Sequence, residues 1–138
     1  MSNNDNCQIL ARYWLDKADE SLVAAKMMAD ANMLGMAVNR QYYAVFYAVC
    51  AFLASKGLAY GKHTAVQTAL HRDIVKAGLV PREMGALFSK LFNARHDSDY
   101  KAFVTFAREE VAQDMFKVEE FIRVFRQLVE DERGLPAG

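Results

Sequence analysis

Between residues 91 and 100 the chain reads Leu-Phe-Asn-Ala-Arg-His-Asp-Ser-Asp-Tyr, which crowds a guanidinium, an imidazole, two carboxylates, a hydroxyl and a phenol behind an apolar run. Metal-free cleavage of RNA calls for these groups: a base to free the 2′-hydroxyl, a cation at the crowded phosphate and an acid for the leaving oxygen. Arg95 suits the cation, because a guanidinium offers two parallel donors to phosphate oxygens. Asp99 can serve as base or can orient Arg95. His96 is the group in this run whose unperturbed pKa lies near neutrality. On a continuous helix His96 points about 100° away from Arg95, so the two converge only if the helix ends by residue 96. A structural alternative stays open, in which Arg95 and Asp99 form an i, i+4 ion pair that fixes the following loop.

The elements that must position these groups read as helices. Met84, Leu87, Phe88, Leu91 and Phe92 recur at three- and four-residue spacing and share one face, and the next inward positions are Arg95 and Asp99. Pro81 stands where the first position of that fourth helix is expected. A first helix runs to about residue 31, with Asn3, Asn4, Asp5 and Asn6 as candidate caps. Its expected inward stripe is Leu10, Trp14, Ala18, Leu22 with Ser21, Ala25 and Met28. The second helix, about residues 36–56, has two apolar stripes: Val38, Tyr42, Val45, Phe46, Val49, Phe52 and Leu53, then Met36, Arg40, Tyr43, Tyr47, Cys50 and Ala54. A helix apolar on two sides must be covered on two sides, by the rest of a bundle or by a second subunit. A third helix opens at His63 or Thr64, carries Val66, Ala69, Leu70 and Ile74, and stops at Gly78. Residues 98–106 connect onward with Phe103 and Phe106 as anchors, and Thr105 as a cap for the last helix. There Val111, Met115, Val118, Ile122, Phe125 and Val129 form a bundle seam.

The expected fold is all-α: an up-and-down bundle of four to five antiparallel helices in one domain over 1–138, with 1–6 and 132–138 frayed. The chain has 138 residues, 53% hydrophobic and 25% charged, with a formal net charge of zero, so no global basic field advertises nucleic acid or membrane. Its two cysteines, Cys7 and Cys50, make neither a disulfide framework nor a zinc spacing, which predicts a cytoplasmic setting. His63 and His71 do not have metal-ligand spacing, and His71 reads as a boundary residue. The sequence also lacks a phosphate-binding glycine loop, His-Glu-x-x-His, Gly-x-Ser-x-Gly and a dinucleotide fingerprint. The expectation is therefore no metal, no cofactor and no membrane.

The run Ala37-Val-Asn39-Arg40-x-Tyr42-Tyr43-Ala44-x-Phe46-Tyr47-Ala48 resembles the second-helix signature of HEPN-domain proteins. Lys62-His63-Thr64, Lys76-Ala-Gly78 and Arg95-x-x-x-Asp99-Tyr100 follow in the family's order, and the likeness spans residues 18–125. The resemblance implies a bundle that dimerises and brings two Arg motifs to one cleft. Asn39, Arg40, Tyr43, Tyr47 and Tyr100 are expected to line that cleft beside Arg95, His96 and Asp99. Many members are metal-independent ribonucleases, and many are toxins encoded beside a minimal nucleotidyltransferase antitoxin that silences some of them by nucleotide attachment to a tyrosine. The family's ribonuclease motif ends in histidine. Here Asp99 stands at that position, as in a subgroup reading Arg-x-x-x-Asp-Tyr. The expectation is a toxin-type ribonuclease acting on RNA, with a non-catalytic nucleotide- or partner-binding module as the alternative.

Overall fold

The computed structural model describes residues 3–133. Among them α1 is Asn3–Asp30, α2 Leu34–Ser55, α3 His63–Ala69, α4 Arg82–Tyr100 and α5 Arg108–Arg133, with no strand. Residues 1–2 and 134–138, part of the segments expected to fray, lie outside the described residues; 3–6 and 132–133 are helical. Asn3 to Asn6 therefore form the first turn of α1 rather than its cap.

The all-α bundle is built around α2. Fourteen of its residues are buried, because α1, α4 and α5 all pack against it. Its first apolar stripe is buried throughout by the same chain, whereas in the second Ala54 is buried, Arg40, Tyr43, Tyr47 and Cys50 are half-buried and Met36 is exposed. The seam on α5 is as the spacing predicts: Val111, Met115, Val118, Ile122, Phe125 and Val129 are all buried, and Phe121 stacks on Phe125 at 4.5 Å. The α1 stripe differs in register. Ala11, Leu15, Ala18, Ser21 and Ala25 are buried, whereas Leu10 is exposed and Trp14 lies at the edge, stacked on Tyr47 at 5.5 Å. Small residues on the inward face let α1 and α2 approach closely, and the bulky indole is accommodated beside the contact rather than within it.

Three helix ends share one device. After α1, α2 and the α3 segment, the amide two residues beyond the last turn reaches back five positions: Met33 to Met28, Leu58 to Leu53 and Leu79 to Ile74, at 2.8–3.0 Å. The residue before each, Asn32, Gly57 or Gly78, has a positive φ of 60–80°, which this cap requires and which glycine adopts without steric cost. Beyond Ala69, α3 continues as a π-helical turn over Leu70–Val75. It keeps Leu70 and Ile74 fully buried while His71 Nε2 meets Ser89 Oγ of α4 at 2.9 Å.

Two polar contacts fix the entry to α5. Gln41 Nε2 donates to the Val111 carbonyl at 3.0 Å, and Lys90 bridges to the buried Asp114 at 2.8 Å and to Glu110 at 2.7 Å. The start of α5 differs from expectation: the helix begins at Arg108, so exposed Thr105 does not cap it. Pro81 likewise sits one position earlier than predicted, capping α4 from outside. Phe103 is no anchor. It adopts φ 64°, which turns its side chain fully into solvent, and Phe106 alone packs onto the second small cluster with Val38 and Val111.

Phe88, fully buried against Tyr42 at 5.8 Å, is expected to cost about 3–5 kcal/mol when changed to Ala, read as a lowered urea midpoint. Phe103→Ala is expected to stay within about 0.5 kcal/mol of the parent.

Candidate functional site

Helix α4 persists to Tyr100, so its inward face carries Arg95 and Asp99 together. Packing of Phe88 and Leu91 against α2 sets that face over Tyr42 and Tyr43. The Arg95 guanidinium carbon lies 5.2 Å from the Tyr42 ring centroid and 5.6 Å from that of Tyr43, and only 18% of its side chain is exposed. A cation over two aromatic faces is stabilised by their quadrupoles, by about 0.5–2 kcal/mol according to desolvation. Asp99 Oδ2 accepts from Arg95 Nη1 at 3.3 Å, a long contact between an enclosed cation and a more exposed carboxylate. Asp99 thus orients Arg95 without enclosing it.

The structure adds a residue that the sequence placed at a helix start, in the Lys62-His63-Thr64 run, without assigning it to the site. His63 opens α3, and its Nδ1 lies 2.7 Å from the Tyr42 hydroxyl. Its ring stacks on Phe46 at 4.2 Å and meets Tyr43 edge-on at 5.9 Å. Arg95 and His63 therefore converge on the same tyrosine pair from different helices. Burial, and then the Arg95 charge, hold the imidazole pKa below its ordinary value near 6.5. Burial pushes the Tyr42 phenol well above its ordinary range, with Arg95 acting the other way, so the phenol keeps its proton. Sequence periodicity could not find this pairing, because it joins residues 21 apart across a loop; an aromatic helix facing a lone histidine at a helix start was the available signal.

The other expected site residues divide into two groups. Asn39 and Arg40 join the cleft: Arg40 donates through Nε and Nη2 to Asn39 Oδ1 at 3.0 and 2.8 Å, and its guanidinium lies 4.7 Å from the Tyr43 centroid. Tyr43 is therefore flanked by two arginines. Asn39 and Arg40 line an open pocket of about 510 Å³ with Gly35, Met36, Ser98 and Asp99. Gly35 matters there, since a Cβ at that position would stand 3.2 Å from Ser98 Oγ. Tyr47 extends the aromatic row away from Arg95, between Tyr43 at 5.7 Å and Trp14.

His96 and Tyr100 form the second group. Their rings pair at 4.9 Å on the exposed flank of α4, and Tyr100 is 72% exposed. With the helix continuous through residue 96, His96 diverges from Arg95 as the 100° step requires. Its carboxylate neighbour is Asp97, itself bridged to Lys101 at 3.1 Å. Among the described residues no three His, Cys, Asp or Glu side chains are grouped to hold a metal ion, and no helix is long and apolar enough to cross a membrane. Burial pushes the Cys50 thiol up to about 12.

A family model described as the HEPN domain matches residues 11–128. A "UPF0332 protein" of Thermotoga maritima is 39% identical over 122 residues, covering 88% of this chain and 92% of that one. Two proteins of Methanocaldococcus jannaschii are also similar. "Putative toxin MJ0605" is 30% identical over 78% of this chain and 80% of its own length. "Putative toxin MJ0142" is 29% identical over 70% of this chain and 65% of its own length.

The His63 environment sets the sign of a pH effect. Near pH 6.5 the unfolded chain takes up a proton on this imidazole that the native site resists, so stability falls as pH drops through and below that value. Urea midpoints of His63→Gln are therefore expected to decline less between pH 7.5 and 5.5 than those of the parent. Asp99→Ala is expected to cost no more than about 0.5 kcal/mol, as for other i, i+4 pairs open to water.

Proposed function

Since the chain belongs to the HEPN domain family, we propose that it is the toxin-type component of a HEPN–nucleotidyltransferase pair, a cytoplasmic, metal-independent endoribonuclease working as a homodimer. The observation that carries this reading is Arg95, mostly enclosed yet matched to a single long carboxylate contact beside an open pocket. Its remaining donors suit the non-bridging oxygens of a phosphodiester. Tyr43, held between Arg40 and Arg95, offers a stacking face for a base, and single-stranded RNA is bound by such a combination of cations and aromatic faces. Asp99 is the positioning partner of Arg95.

The names of the two archaeal relatives support the toxin role. The dimer would use apolar side chains left exposed on α2 and at and after the end of α4: Met36, Tyr100 and Phe103, Phe103 completely. Tyr100 is also accessible to a nucleotidyltransferase partner, which would silence the toxin by attaching a nucleotide to its phenol.

A second reading has an observation of its own. His96, the imidazole within the motif, faces away from Arg95, so the Arg95 cleft also suits a module that holds a nucleotide or a partner protein without cutting RNA.

Incubation with labelled transfer and messenger RNA in EDTA separates the two. The wild type is expected to cleave, and Arg95→Ala to cleave at least about 100-fold more slowly, the usual loss on removing a transition-state charge donor. Light scattering should find the variant still dimeric. An inert wild type that binds nucleotides would favour the binding module. Loss of the dimer and a lower melting temperature in Arg95→Ala would instead assign the arginine to bracing the fold.

A further inference from the structure

We propose that His63 supplies the imidazole of the Arg95 site and acts as the base that takes the proton from the attacking 2′-hydroxyl. The inference rests on the ribonuclease reading above and assigns it a base that the Arg-x-x-x-Asp motif lacks. Three observations carry it. His63 and Arg95 reach the same pair of rings, Tyr42 and Tyr43, from α3 and α4. The imidazole is fixed on both faces of its chemistry, stacked on Phe46 at 4.2 Å and hydrogen-bonded through Nδ1 to the Tyr42 hydroxyl at 2.7 Å. No hydrogen bond among the described residues engages Nε2, and the residue is partly exposed. By contrast, His96 is turned onto the outer flank of α4 with Tyr100.

The Tyr42 hydroxyl can donate to Nδ1 or accept from it, according to the tautomer of the ring. The proposed step uses the tautomer with the proton on Nδ1, donated to the phenol oxygen, which leaves the Nε2 lone pair free to accept a proton. The groups facing the ring are the phenols of Tyr42 and Tyr43 on α2 and the guanidinium of Arg95 on α4, with Lys62 adjacent in the chain. None is an anion that would hold a proton on the imidazole, so it stays neutral at pH 7, as a base must.

The step balances with no further reagent. The 2′-oxygen forms a bond to phosphorus as its proton passes to Nε2, and the bond from phosphorus to the 5′-oxygen breaks. The departing 5′-oxygen takes a proton from solvent water, and the imidazolium gives its proton to the hydroxide so formed. The products are a 2′,3′-cyclic phosphate and a 5′-hydroxyl. Arg95 stabilises the additional negative charge on the phosphoryl oxygens.

The test compares wild type, Arg95→Ala, His96→Ala, His63→Ala and His63→Gln on one RNA in EDTA, with circular dichroism and melting as the fold check. His63→Ala is expected to lose about 10²–10⁴-fold in rate, the range for a positioned general base. Added free imidazole should restore part of that loss, which a purely structural histidine would not permit. His96→Ala should remain within a few-fold of wild type. The wild-type rate should rise with pH below neutrality and level off, and His63→Gln, which keeps a donor near Tyr42, should lose that rise. Cleavage by folded His63→Gln at near the wild-type rate overturns the inference, as does a loss in folded His63→Ala that imidazole leaves unrestored. If His63→Ala fails to fold, the pH profile of His63→Gln decides in the same way. An active wild type that needs Arg95 but not His63 overturns this inference alone; an inert wild type overturns the ribonuclease reading with it.

Discussion

The Arg95 guanidinium laid over Tyr42 and Tyr43 is the contact on which the site depends. A cation pointed along an apolar stripe is costly unless something receives it. Here the receiver is two aromatic faces and one orienting carboxylate, an arrangement that leaves donors unused. The apolar character of α2 on two sides makes this possible. Because α1 and α5 cover most of that helix, α4 can close over the tyrosines at one end and leave its last turn beside an open pocket.

The same tyrosines tie the cleft to the core. From Trp14 through Tyr47, Tyr43 and Tyr42 to His63, rings meet at 5.2–5.8 Å, so one continuous aromatic row links α1, α2 and α3 beneath Arg95. Tyr42 is fully buried among Phe88, Phe92 and Phe46, which fixes the phenol that His63 meets. Such a platform limits rotamer choice for both Arg95 and His63 before any ligand arrives. Preorganisation of this kind lowers the cost of binding a charged, flexible ligand.

Much of this was legible in the sequence because periodicity reports which side of a helix faces inward. The α4 spacing placed Arg95 inward, with Asp99 one turn on at the exposed edge, the α5 spacing named its buried seam, and the first stripe of α2 is buried along its whole length. What was not legible depends on how helices meet. The α1 stripe is rotated toward Ala11 and Leu15, since close helix packing favours small residues over the indole of Trp14. Phe103 is turned outward by a positive φ that its residue type does not announce. His63 reaches Tyr42 only because the loop after α2 lays α3 against that helix, which no local pattern encodes. His96 is the converse case: its chemistry was plain from residue type, but continuity of the helix decided where it points.

The claim that everything else rests on is that Arg95 holds a phosphodiester. Fluorescence anisotropy with a 2′-O-methyl RNA, which cannot be cleaved through its 2′-oxygen, measures that directly for wild type, Arg95→Lys and Arg95→Ala across a salt series. Binding that weakens with salt, and falls by roughly ten- to a hundredfold in an Arg95→Ala variant that remains folded at the assay temperature, is the expected result, since a charge-assisted hydrogen bond is worth about 1.5–3 kcal/mol. Equal affinity in wild type and Arg95→Ala would contradict it and leave the arginine as a brace between α4 and α2.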